Sequence, residues 1–166
     1  SQWTINKKIN LEFEPGATYK MPDTPTIASF PNAFMVYMTT GSENSILSNV
    51  TIDGTTTGGD IIKGLQLSAR SLLHNCNISN FVSHVISMFL GSSISGGVVS
   101  SLPSLSGVFS IYSTNTGTVG DAHEIINLNL IQNSNAILNF YTSPKSTLKG
   151  CTIIGDVSLG GSEILC

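Results

Sequence analysis

The sequence predicts an all-β chain wound as a single-stranded right-handed parallel β-helix of about five to six turns, and three observations predict it. A spaced apolar motif recurs along the 166 residues. A second, alternating segment precedes each copy of that motif. Asparagine or glycine returns at one position inside every copy. Units of roughly 20–45 residues that recur with variable insertions are the mark of a stack in which each unit touches only its neighbours.

The motif is an apolar residue, another three on, and another two beyond. It reads Leu47/Val50/Ile52, Leu73/Cys76/Ile78, Ile94/Gly97/Val99, Ile125/Leu128/Leu130 and Leu148/Cys151/Ile153. Successive copies are separated by roughly 21 to 31 residues, one circuit of a coil with loops of unequal length. The alternating segments are Val36-Tyr37-Met38, Leu65-Gln66-Leu67, Ile86-Ser87-Met88, Phe109-Ser110-Ile111 and Leu138-Asn139-Phe140, and Val157-Ser158-Leu159 opens a further turn. A period of two puts the outer pair inward and the middle residue outward. The outward column is then Tyr37, Gln66, Ser87, Ser110, Asn139 and Ser158, polar throughout as a solvated face requires.

The third position of each motif reads Asn49, Asn75, Gly96, Asn127 and Gly150. A tight corner between two strands needs left-handed backbone angles, which asparagine and glycine tolerate best. Stacked asparagine side chains also satisfy polar backbone that a corner strands. β-Branched residues and glycines crowd every window, which disfavours helix. A β-sandwich, the alternative, needs antiparallel hairpins with Asn-Gly or Asp-Gly turns, and only Asp53-Gly54 offers one.

The whole of 1–166 reads as one domain. Residues 1–30 form a lead-in: Ile9, Leu11 and Phe13 alternate, Pro15-Gly16 turns the chain, Ala17–Met21 is a short return strand, and a proline-rich loop follows. Regular coils occupy 31–166. So few coils suggest a piece of a longer chain.

Composition narrows the function. Only 10% of residues are charged and the formal net charge is −3, so no basic surface exists for nucleic acid or anionic membrane. The apolar run Val82–Leu90 is too short to span a bilayer. Cys76 and Cys151 share a column three turns apart, about 14 Å at the usual strand spacing, too far for a disulfide. Both are expected to be buried thiols, whereas Cys166 sits at the chain end. Nucleotide, zinc and nucleophile-elbow motifs are missing, and no metal or cofactor is expected.

The segments Ile46–Gly54 and Leu72–Asn80 resemble rungs of the pectin-lyase-like superfamily, and Ile9–Tyr19 is similar to the first rung of bacteriophage tailspike and polysaccharide-lyase β-helices. The resemblance implies the β-helix fold and a homotrimer. It also implies a place on a virion tail or cell surface, where the protein binds or depolymerises host surface polysaccharide as a hydrolase or lyase. A non-catalytic shaft or adhesin module is the alternative.

Candidate site residues follow from the scaffold. The longest insertion, Ser113 to Glu124, carries Asp121, His123 and Glu124. Asp121 and Glu124 are the first candidates for an acid/base pair, since glycoside cleavage needs two carboxylates several Å apart, and His123 is a candidate proton carrier at the substrate. The plainer reading is a solvated loop. Asp53 and Asp60 are the second carboxylate pair, although either could simply cap its own turn. Arg70, the sole arginine, could stabilise an enolate-like intermediate beside His74; a corner arginine bonding carbonyls is commoner. Tyr37, Tyr112 and Tyr141 are candidate platforms for sugar rings, with Tyr112 and Tyr141 expected close together, and Trp3 is expected to pack the open end. One column turns from polar to apolar, reading Asp53, Ser79, Ser100, Ile131 and Ile154, with Ile126 nearby. An exposed apolar stripe points to a partner surface, here a threefold one.

Overall fold

The computed structural model describes residues 1–55, 58–81, 83–101, 108–113, 122–131, 136–139 and 146–158. Every element among them is a strand. The chain passes repeatedly between a seven-stranded and a ten-stranded sheet, adding a neighbour to each at every pass.

The first tier is β1 (Trp3–Ile5), β2 (Asn10–Glu12) and β3 (Thr18–Lys20). The second is β4 (Phe34–Met38), β5 (Ile46–Ser48) and β6 (Thr51–Asp53). The third is β7 (Lys63–Leu67) and β8 (Leu72–Phe81), the fourth β9 (Ile86–Met88) and β10 (Ser93–Ser101). The fifth is β11 (Val108–Ser113), β12 (Glu124–Ile126) and β13 (Asn129–Ile131). The sixth is β14 (Ala136–Asn139), β15 (Thr147–Lys149) and β16 (Thr152–Ile154), and β17 (Asp156–Ser158) opens another. Strands β1, β4, β7, β9, β11, β14 and β17 make the seven-stranded sheet. The larger sheet has two lanes, and β8 and β10 run unbroken through both.

Every described pairing is parallel, so the described strands form none of the hairpins of a sandwich, and the all-β architecture is compatible with a β-helix. The expected columns form in register. Leu47, Leu73, Ile94, Ile125 and Leu148 stack in one lane, and Ile52, Ile78, Val99, Leu130 and Ile153 in the other. Opposite them Val36, Leu65, Ile86 and Ile111 stack with no exposed surface. Each such side chain contributes about 1.5–3 kcal/mol of burial, and together they form one core.

The corner column also forms as expected. Asn49, Asn75 and Asn127 have φ of 63°, 49° and 54°, and Gly96 and Gly150 have 71° and 63°. Asn75 Nδ2 donates to Asn49 Oδ1 at 3.1 Å.

Several expectations need correction. The lead-in is itself a tier: Trp3 pairs with Val36, Leu11 with Leu47 and Tyr19 with Ile52. The strand within Ala17–Met21 therefore adds to β6 in parallel and does not fold back on β2. In the outward column Tyr112, not Ser110, pairs with Ser87, so β11 lies two residues further along the chain than the segment Phe109-Ser110-Ile111 predicts. Cys76 is buried, but Cys151 is only half-buried. Cys166 lies outside the described residues.

Candidate functional site

The outer face of the seven-stranded sheet is the best-formed candidate surface. Tyr37 pairs with Gln66, Gln66 with Ser87, and Ser87 with Tyr112, so the two tyrosines share a column about 14 Å apart at ordinary strand spacing. Phe34 stacks on Tyr37 with centroids 5.9 Å apart and planes at 28°, which fixes the tyrosine ring. Lys63 Nζ sits 5.3 Å from the Phe34 centroid. His84 meets Tyr112 edge-on at 5.4 Å. Burial, reinforced by the charge of Lys63, pushes the His84 ring down to about 4, so it is neutral near pH 7.

Where this face meets the corner leading to the ten-stranded sheet, a cleft of about 350 Å³ opens. Tyr37, Thr39, Thr40, Glu43, Gln66 and Phe89 are among its lining residues, with Met38, Ala69 and Leu90 beneath. Gly41 N donates to Glu43 Oε2 at 2.8 Å, holding that carboxylate on its loop. Gln66 Nε2 donates to Met38 O at 3.4 Å. Phe89 is 38% exposed and leaves part of its ring open to the cleft. An aromatic edge, an amide, hydroxyls and one carboxylate around a small cleft suit a polyhydroxylated ring.

Arg70 borders this cleft. It is exposed, with φ of 55°, its amide donates to Leu90 O at 2.8 Å, and its chain neighbour Ala69 and bonded partner Leu90 both line the space. Left-handed angles are uncommon for arginine.

Asp53 and Asp60 each have hydrogen-bond partners of their own. Asp53 Oδ1 accepts from Thr55 N at 3.0 Å, Thr55 Oγ1 at 2.7 Å and Asn80 Nδ2 at 2.8 Å. Partial burial opposes its ionisation, but the bonds from Asn80 and Thr55, with the charge of Lys20, outweigh this and hold the carboxyl below its usual value. Asp60 Oδ2 accepts from Ile27 N at 2.7 Å, tying the proline-rich loop down. Each carboxylate caps backbone of its own. Glu124 is exposed at the start of β12, on the ten-stranded sheet, away from the tyrosine column. Asp121 and Tyr141 lie outside the described residues.

His123 is 1% exposed and Ser113 is 0% exposed, so His123 belongs to the interior and not to a ligand-facing loop. Its Nδ1 lies 3.1 Å from Ser92 O, and its Nε2 lies 2.6 Å from Ser113 Oγ. A carbonyl only accepts, so in the neutral ring Nδ1 carries the proton and Nε2 accepts from the Ser113 hydroxyl. A serine and histidine so arranged are the parts of an activated nucleophile, but their burial keeps substrate from them.

The histidine occupies a column that the motif reading overlooked. Ser45, Ser71, Ser92, His123 and Ser146 precede the first residue of successive paired strands, and all are buried. Ile9 N donates to Ser45 Oγ at 3.0 Å, Ser45 N to Ser71 Oγ at 3.3 Å, and His123 N to Ser146 Oγ at 3.3 Å. Each hydroxyl thus satisfies backbone that the corner withdraws from water. The sequence carried this signal two residues before each motif.

At the first tier Trp3 meets Phe13 and Tyr19 edge-on at 5.7 and 6.2 Å, packing the end of the core as expected. Burial raises the Tyr19 phenol. Along the far lane Ser100 pairs with Ile131 and Ile131 with Ile154. These isoleucines are 41% and 58% exposed, so the apolar stripe is present.

Among the described residues no group of three His, Cys, Asp or Glu side chains could hold a metal ion, and no helix is long and apolar enough to cross a membrane. No family model, curated protein or solved structure matches this chain.

Proposed function

We propose that the chain is a right-handed parallel β-helix of the pectin-lyase-like, tailspike kind, which binds host surface polysaccharide from a virion tail or cell surface. The observation that carries this reading is the cleft of Tyr37, Gln66 and Phe89 at the edge of the outer face of the seven-stranded sheet. Such a face presents ligand groups at the regular spacing of successive strands, and the Tyr37–Tyr112 column spans four tiers. Recognition without cleavage is favoured. Asp53 and Asp60 are engaged with separate backbone partners, and Glu124 is on the other sheet. The test is co-sedimentation with purified capsule or lipopolysaccharide, alongside assays for new reducing ends and 4,5-unsaturated sugars. Retention without new ends is the expected result. Released ends that vanish in Asp121→Asn or Glu124→Gln would restore a depolymerase.

The exposed Ile131–Ile154 pair favours a second reading, a homotrimeric shaft or adhesin module closed by that stripe. Sedimentation equilibrium of the wild type and of Ile154→Asp tests it, a trimer that dissociates in the variant being the expected result.

A further inference from the structure

We infer that the ligand of the Tyr37–Phe89 cleft is an uncharged glycan, built of neutral hexoses or N-acetylated amino sugars. This inference rests on the polysaccharide-binding reading above and narrows it to a substrate class. The lining contains one charged side chain, Glu43, and it is negative. That carboxylate is fixed, because Gly41 N holds its Oε2 at 2.8 Å. Arg70, at the adjoining corner, is not among the residues that line the cleft. A uronate, sialate or sulfate entering this space meets a fixed like charge with no cation in the lining to offset it. In a partly desolvated cleft this costs on the order of tenfold or more in affinity. The net charge of −3 adds a weaker, salt-screened repulsion.

The remaining groups suit an uncharged sugar. Tyr37, held by Phe34, and the exposed face of Phe89 supply apolar surface for C–H groups. The Gln66 amide and the Thr40 hydroxyl both donate and accept, as a sugar hydroxyl does, while the Thr39 hydroxyl, which donates to Thr40 O at 3.1 Å, is left to accept. Specificity here comes from withholding compensation from an anion as much as from contacts to the neutral ligand.

The experiment uses the full chain against immobilised neutral hexose and N-acetylhexosamine oligosaccharides and their uronate- and sialate-bearing counterparts, at low and high salt. The expected result is binding of a neutral probe that changes little with salt and exceeds its acidic counterpart by about tenfold. Tyr37→Ala and Phe89→Ser should each weaken it by about tenfold, and the second variant keeps the test open should the first fail to fold. Glu43→Lys should narrow or reverse the preference. Acidic probes that bind as tightly as neutral ones at low salt would overturn the inference and leave the binding reading intact. Failure of every probe to bind, or binding unchanged in folded Tyr37→Ala and Phe89→Ser, would overturn the binding reading itself.

Discussion

Two adjacent glycines at one corner should respond in opposite directions to substitution. Gly97 has φ of 88°, and a Cβ there would lie 2.7 Å from Cys76 N and closer still to Cys76 O. Those atoms are backbone of the strand paired with it, with Gly97 opposite Cys76. Gly97→Ala therefore incurs roughly 1–2 kcal/mol for left-handed angles and roughly 1–3 kcal/mol for overpacking. The sum, about 2–5 kcal/mol, is a large part of the stability of an ordinary domain. Gly96 has φ of 71°, but its Cβ would sit 3.7 Å from Asn75 Cα and Oδ1, an ordinary contact. Gly96→Asn repeats what the tiers below already do. It should gain about 0.5–1 kcal/mol from lower unfolded-state entropy and one more amide in the Asn49–Asn75 ladder. Urea denaturation followed by far-ultraviolet circular dichroism reads both, provided the slopes match the wild type. Equal costs for the two variants, or a neutral Gly97→Ala, would refute the register of β8 against β10.

Three further outcomes are expected. Asn75→Ala should lose about 1–2 kcal/mol through left-handed strain and the bond to Asn49, while Asn75→Gly should lose clearly less; thermal melts of the pair check this. Under native conditions iodoacetamide should modify half-buried Cys151 well before Cys76, which is 2% exposed and whose thiol burial pushes up; peptide mass spectrometry locates the label, and equal rates would count against the buried column. His84 has its folded value lowered from 6.5 to about 4, so the unfolded chain binds more protons between those limits and stability falls as pH drops through them. The loss should be about 1–2 kcal/mol after allowing for partial exposure, and His84→Gln should flatten the pH dependence measured by denaturant midpoint.

The columns were legible because parallel stacking writes the same side chain into the same place on every tier. Leu47, Leu73, Ile94, Ile125 and Leu148 could be aligned by eye, and Asn49, Asn75 and Asn127 identified their corner. The serine column is equally regular, but serine before a strand suggests a solvated turn and not an interior hydroxyl. His123 was misplaced for the same reason. Tyr112 takes the place expected of Ser110 because Phe109-Ser110-Ile111 and Ile111-Tyr112-Ser113 share one alternation, which does not choose between registers two residues apart. The cleft was hardest to foresee. Thr39, Glu43, Gln66 and Phe89 lie on three successive tiers, and only the path of the corners brings them around one space. Asp53 looked chemical in isolation, but its bonds to Thr55 and Asn80 show an ordinary turn anchor.

The serine hydroxyls that link one corner to the next also bear on how the molecule responds to force. They join the first tier to the second, the second to the third and the fifth to the sixth, in the same direction as the sheet bonding. A load pulling the layers apart therefore meets several bonds at each step but can release them one layer at a time, starting from an end. A load across the width meets the interlocked apolar interior all at once. Such a body peels lengthwise before it bends, and a single-molecule trace should show a train of small, similar rips.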